Sequence, residues 1–277
     1  MENYKRGWKR RMMKFAAAGN WFSKDWYQNV KLGAKYGFCG VEQLEWLFLD
    51  LEKAGRVLKE YQVTSTALVI QSRSQEVAKY LPWTHGMVWE DSRKAFVEAL
   101  KETIQAAKAM NVPNIIATTG NERSDICREK QHEIVVETLK EMAPYAEEAG
   151  VMIVLEPLNV LVNHPGHFLV TSKEGFQMIR EVDSPACRLL FDIYHQQVSE
   201  GNLIANIREG IDLIGHFHIA DHPGRMEPGT GEINYETVLR AIGDTGYSRW
   251  LAFECGRTME AGPLCEKMKR LIEKGTN

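Results

Sequence analysis

The chain has 277 residues, with 34 Lys and Arg against 37 Asp and Glu, for a formal net charge of −3. At 44% hydrophobic and 26% charged it has the composition of an ordinary soluble globular protein, which excludes disordered and collagen-like architectures. Five cysteines, odd in number and without a C-x-x-C pair, exclude a disulfide framework and point to reduced thiols in a cytoplasmic protein.

In chain order, a basic arm comes first, MENYKRGWKRR over residues 1–11. The apolar run behind it is too short for a signal peptide, and no stretch approaches the roughly 20 apolar residues of a membrane span. A lone basic arm on a slightly acidic chain does not make a nucleic-acid binder, so the expected partner is a small molecule, not a nucleic acid or a membrane. A homo-oligomer is compatible with the composition. Eight β-branched or apolar runs then alternate with helix-like stretches. The strands are MMKFAAA from Met12, CGVEQLEW from Cys39, VTSTALVI from Val63, PNIIATT from Pro113, VMIVLEP from Val151, CRLLFDI from Cys187, IGHFHIA from Ile214 and RWLAFEC from Arg249. Helices are expected over 25–36, 49–61, 91–110, 128–149, 173–181, 203–212, 235–244 and 264–274, with Gly37, Gly150 and Gly246 closing three of them. Strict alternation implies a parallel sheet with helices outside it. Eight units in a length near the typical ~250 residues imply closure into a (β/α)8 TIM barrel, a single domain over residues 12–277 behind the arm. The first strand ends in AAAGNWF, which lacks the Gly-rich turn of a dinucleotide-binding sheet.

The connection from Gln71 to Glu90 is the longest and carries Pro82, Trp83, His85, Met87 and Trp89, the composition of a lid or an interface. Trp21, Phe22 and Trp46 join Trp83, His85 and Trp89 as side chains expected to shape a pocket.

Strands five to eight end in Glu156, Asp192, His218 and Glu254. In a barrel these ends form the active-site mouth, so the four side chains converge. Three carboxylates in one small mouth repel each other and raise each other's pKa unless a cation holds them. Two Glu, one Asp and one imidazole suit one divalent Mn²⁺ first, with Mg²⁺ or Co²⁺ next and Zn²⁺ still compatible. His216 lies two residues before His218, on the same side of the strand and farther from the mouth, as a supporting or core residue. Around the four lie Asn159, His195 and Arg225, candidate substrate-binding groups; a guanidinium at Arg225 can grip carboxylate or hydroxyl oxygens two-pronged. The PGTG turn from Pro228 offers amides to a phosphate, without an accompanying Lys.

HFHIADHPGRMEPGTGEINY (216–235), with VLEPLN, LLFDIYH and LAFE, resembles the hydroxypyruvate isomerase branch of the xylose isomerase-like barrel superfamily. The resemblance spans the chain from the first strand to the last helix. It implies one divalent metal on Glu156, Asp192, His218 and Glu254, with Glu156 and Glu254 doubling as catalytic acid–base groups. That branch commonly has Gln where this chain has His218, and the epimerases of the superfamily carry a further Glu near the place of Val162. The expected chemistry is proton abstraction next to a carbonyl. Through an enediolate it interconverts the aldehyde and ketone forms of a hydroxypyruvate-like keto acid or sugar. Ketose 3-epimerisation and dehydration are the alternatives from the same step. A metal-dependent endonuclease is a distant one, since the chain is slightly acidic and shows only one obvious ligand set.

Overall fold

A computed structural model of the protein describes residues 13–82 and 85–276. The basic arm, Met12 and Trp83 lie outside the described residues. The strands are β1 (Lys14–Ala18), β2 (Gly40–Glu42), β3 (Thr64–Ser65), β4 (Ala67–Val69), β5 (Asn114–Ala117), β6 (Met152–Leu155), β7 (Cys187–Asp192), β8 (Ile214–Ile219) and β9 (Trp250–Phe253). All pairs are parallel, in the order β3-β2-β1-β9-β8-β7-β6-β5-β4. The two ends of that order are consecutive in the chain, so β3 and β4 are halves of the third expected strand and the barrel closes through them. The break falls at Thr66, whose carbonyl accepts from Nδ2 of Asn114 at 2.8 Å instead of joining a ladder. The first half pairs with β2 and the second with β5.

Helices α1 (Trp26–Lys35), α2 (Leu51–Tyr61), α3 (Gln75–Ala78), α4 (Arg93–Met110), α5 (Arg128–Ala149), α6 (Ser172–Val182), α7 (Ile193–Ser199), α8 (Leu203–Gly210), α9 (Tyr235–Asp244) and α10 (Ala261–Thr276) follow the strands. Their starts are legible: Asp25, Asp50, Thr171 and Asn234 each accept from a backbone N–H of the first turn. Gly37, Gly150 and Gly246 all have positive φ, as terminating glycines should. Two helices were not expected from the sequence. Short α3 lies inside the 71–90 connection, and α7 leaves β7 with no loop between them.

Alternation along each strand sorts the side chains. In β8, Phe217 and Ile219 join the core between barrel and helices, leaving His216 and His218 to point inward. In β2, Val41 faces the helices and Glu42 the barrel interior. The inner layer of Ala67, Ile116, Val154 and Leu190 fills one side of the barrel beneath the mouth.

Candidate active site

Glu156 and Glu254 are the first residues past β6 and β9. Each stays in register through its backbone N–H, which donates to the carbonyl of Ala117 at 3.0 Å and of Ile219 at 3.1 Å. Asp192 and His218 sit opposite each other in the β7–β8 ladder. One ligand atom from each of the four lies within 4.8 Å of all the others. Donors about 2.0–2.2 Å from a single ion stand roughly 3–4.4 Å apart, so this spacing fits one cation. Two donors aimed into the cluster, Oε1 of Glu156 and Nδ1 of His218, are buried with no hydrogen-bond partner. Nδ1 of His218 lies 2.9 Å from Oε2 of Glu254 and 3.5 Å from Oε1 of Glu156. Buried, unpartnered polar atoms in an oxygen-rich set are what a hard or borderline divalent ion satisfies.

The protein's own charges already polarise this cluster. Burial raises the pKa of Glu156 to about 7, against the pull of His218. Burial works the same way on Glu254, but His218 and Arg225 outweigh it and hold that carboxyl at about 2. Burial opposes a charge on His218, yet Glu254, Glu156 and Glu42 raise its pKa well above the ordinary value. Environment thus separates the two glutamates.

Asp192 does two jobs. Its Oδ1 caps α7 by accepting from the N–H groups of Tyr194 and His195, at 2.8 and 3.1 Å. Its Oδ2 faces the cluster, 3.2 Å from Nη2 of Arg225. The cap sets the first turn of α7 and so places His195. Nδ1 of that imidazole accepts from the backbone N–H of Asn159 at 3.1 Å and lies 2.7 Å from Asn159 Nδ2. The Nε2 must then carry the hydrogen; it is buried without a partner, 3.6 Å from Oδ2 of Asp192. Burial depresses the His195 pKa to about 4, so the ring is neutral at pH 7.

Asn159, expected at the substrate, does not border the cavity over the cluster. It is fully buried, with its amide nitrogen on His195 and Asn163 and its oxygen accepting from the N–H groups of Val162 and Asn163. It orients His195 instead. His195, Arg225, Glu156 and Glu254 do border that cavity, of about 480 Å³. Aliphatic Leu44, Val69, Ile70, Leu81, Ile116 and Leu158 also line it, together with polar Glu45, Gln71, Ser72, Thr118 and His164. Trp21, Trp46 and Phe22, expected to shape it, are not among the residues that line it. Trp21 and Trp46 are fully buried and donate to the carbonyls of Cys255 and Val69, and Phe22 lines an adjoining groove that shares Leu44, Glu45 and Glu254 with the cavity.

Of the long connection, Gln71, Ser72, Ala78, Leu81 and Pro82 border the cavity. The segment 85–89 is docked on the rim. Met87 N–H donates to the carbonyl of Thr119 at 2.8 Å, and Gly86 passes so close to Gly120 that a Cβ on Gly86 would stand 2.7 Å from Thr119 O. Trp89 is stacked between His85, ring centroids 4.2 Å apart, and the guanidinium of Arg123 at 3.7 Å. It packs on the rim.

Three functional supports escaped the sequence reading. Asp221, fully buried, accepts five backbone N–H bonds: His222 and Ile233 on Oδ1, and Gly229, Thr230 and Gly231 on Oδ2. The PGTG amides therefore hold Asp221 and are not a phosphate cradle. Their loop carries Arg225 in a left-handed conformation (φ 54°) with Nη2 2.6 Å from Oε2 of Glu254. Glu227, also buried, accepts from the N–H and hydroxyl of Thr258 and ties this loop to the one after β9. Glu42 places Oε1 3.2 Å from Nε2 of His216 and 3.0 Å from Nε2 of His218. An acid inside the runs IADHPG and MEPGTG was the available signal for Asp221 and Glu227; GVEQ offered none for Glu42.

A closed parallel barrel that gathers three carboxylates and a histidine at the C-terminal ends of its strands defines a TIM barrel able to hold a metal at its mouth. The chain belongs to the xylose isomerase-like TIM barrel family, which it matches over residues 30–273. It is 28% identical over 241 residues to the hydroxypyruvate isomerase of Escherichia coli, covering 86% of this chain and 91% of that protein. It is 33% identical over 131 residues to the 2-oxo-tetronate isomerase of Cupriavidus necator, covering 47% of this chain and 50% of that one. The crystal structure of an AP endonuclease, family 2, from Brucella melitensis superimposes with a TM-score of 0.83 at 24% identity, covering 94% of this chain and 99% of that one. At that identity the match speaks for the fold alone.

Proposed function

We propose that the chain is an isomerase of a small hydroxy-carbonyl compound, a hydroxypyruvate-like keto acid or a sugar, working by proton transfer between neighbouring carbons. The observation that carries this reading is the convergence of Glu156, Asp192, His218 and Glu254 within 4.8 Å beneath a cavity that also receives His195 and Arg225. The relatives named for isomerases of hydroxypyruvate and 2-oxo-tetronate support it.

Glu156, Asp192, His218 and Glu254 would hold one divalent cation, with Mn²⁺ suited first to this donor set. When bound, such an ion supplies Lewis-acid polarisation of the substrate's carbonyl and hydroxyl oxygens. The remaining work falls to the chain. One of the two glutamates takes the proton from the hydroxyl-bearing carbon, and the C–H electron pair moves toward the carbonyl oxygen. A glutamate returns the proton to the former carbonyl carbon, while the hydroxyl proton passes to the former carbonyl oxygen and the new carbonyl forms. Neutral His195 donates its Nε2–H to the oxygen that gains charge, and Asn159 keeps it in that tautomer. Arg225 grips a carboxylate or hydroxyl oxygens at the rim.

The test is a panel of ketoses, aldoses and keto acids incubated with Mn²⁺-loaded protein in deuterated water. The expected result is migration of the carbonyl with one solvent deuterium at the carbon it leaves. Inversion of a centre without migration would make the enzyme an epimerase, and loss of water a dehydratase. No deuterium in any member of the panel would refute carbon-acid chemistry at this site.

A further inference from the structure

We propose that Glu42 is a positioning residue for His218, fixing the ring so that Nδ1 is presented to Glu156, Asp192 and Glu254. Its consequence for cation binding rests on the metal reading above. Glu42 projects from β2 into the barrel and meets β8, three strands away around the ring. Its Oε1 stands 3.0 Å from Nε2 of His218 and 3.2 Å from Nε2 of His216, and all three side chains are buried. An ionised carboxylate oxygen only accepts, so both Nε2 atoms carry hydrogen. That leaves Nδ1 of His218 as the atom facing the three carboxylates. His216 makes an edge-on contact with His218, ring centroids 5.2 Å apart at 81°, and holds the same Oε1 from deeper in the barrel. Its own Nδ1 has no partner, as an unprotonated nitrogen tolerates better than an N–H does.

A carboxylate behind a ligating imidazole fixes the tautomer and ring orientation and raises the basicity of the ligating nitrogen. Glu42, His216 and His218 also lie close enough to hold a cation themselves. His218 would then have to ligate through both nitrogens at once, as a bridging imidazolate, which is disfavoured near neutral pH.

The experiment compares wild type with Glu42→Gln and Glu42→Met by two readouts. With ¹⁵N-labelled histidine, wild type should show exchange-protected imidazole N–H signals from Nε2 of His216 and His218, lost in Glu42→Met. Titration of Mn²⁺ followed by electron paramagnetic resonance should show one ion per chain. Affinity should fall about 10- to 100-fold in Glu42→Met and less in Glu42→Gln, which keeps an acceptor of the same shape. Protected N–H signals in Glu42→Met, or affinity within twofold of wild type in both variants, would overturn the proposal. So would two ions in wild type falling to one in the variants, because Glu42 would then be a ligand. If wild type binds no cation, the metal reading fails separately, and the N–H signals alone decide whether Glu42 holds His218.

Discussion

Replacing Asp221 by Asn tests whether the motif loop is built by one carboxylate. The two oxygens of Asp221 accept five backbone N–H groups, three on one and two on the other. An amide offers one oxygen, so either orientation of Asn turns an NH₂ against at least two of those donors. Each buried donor left unsatisfied costs about 1–3 kcal/mol, so the variant should lose roughly 2–6 kcal/mol. Unfolding entropy of about 2.1 cal/mol/K per residue gives roughly 0.6 kcal/mol/K for this length, hence a fall in Tm of about 3–10 °C by calorimetry. Arg225 sits on the same loop, its N–H donating to the carbonyl of Asp221 at 3.0 Å. Turnover should therefore fall further than stability explains at temperatures where the variant is folded. A Tm within 1 °C of wild type, together with unchanged turnover, would show that the loop keeps its shape without the carboxylate.

Glu254→Gln and Glu156→Gln, each saturated with Mn²⁺, should remain about 10²- to 10⁴-fold slower than wild type if both glutamates move protons, because an amide does not take a proton at working pH. Full recovery of either variant in excess metal would reduce that residue to a ligand. Stripping the cation with a chelator should abolish turnover and lower the Tm, since an ion at 1,000 times its Kd stabilises the folded state by about 4 kcal/mol; equal Tm with and without Mn²⁺ would contradict the site. Burial, with His164 and His195 nearby, holds the His167 pKa at about 3, while its Nε2 lies 3.2 Å from Oγ1 of Thr119. The unfolded chain therefore takes up this proton first, at about 6.5, and stability present above that pH is lost as pH falls toward 3, by about 2 kcal/mol between pH 6.5 and 5. His167→Gln should flatten that part of a denaturant-midpoint profile, and an unchanged slope would place the titration elsewhere.

How the barrel is built was legible in the chain because its signals are local. Apolar runs bounded by turn residues, caps at Asp25, Asp50 and Thr171, and glycines with positive φ each act within a few residues. Alternation then placed an acid or imidazole at the end of each of four consecutive strands, and closure of the barrel brings strand ends together. The split of the third strand was not legible, because it depends on the Asn114 amide reaching Thr66 from a strand 48 residues away.

The site's supports were hidden for the same reason. Glu42 meets His216 and His218 across 174 and 176 residues of sequence, and nothing in GVEQ distinguishes it from an exposed strand acid. EPLN gave a polar residue at Asn159 but not its direction, which the His195 imidazole decides from α7. Tryptophans that look like pocket walls in a sequence, Trp21 and Trp46, are drawn under the rim by their own apolar area. The residue types and their strand positions were thus determined by the sequence alone. Which of them face the cavity, and which instead hold the ones that do, was decided by packing and hydrogen bonding between segments that only the closed barrel brings into contact.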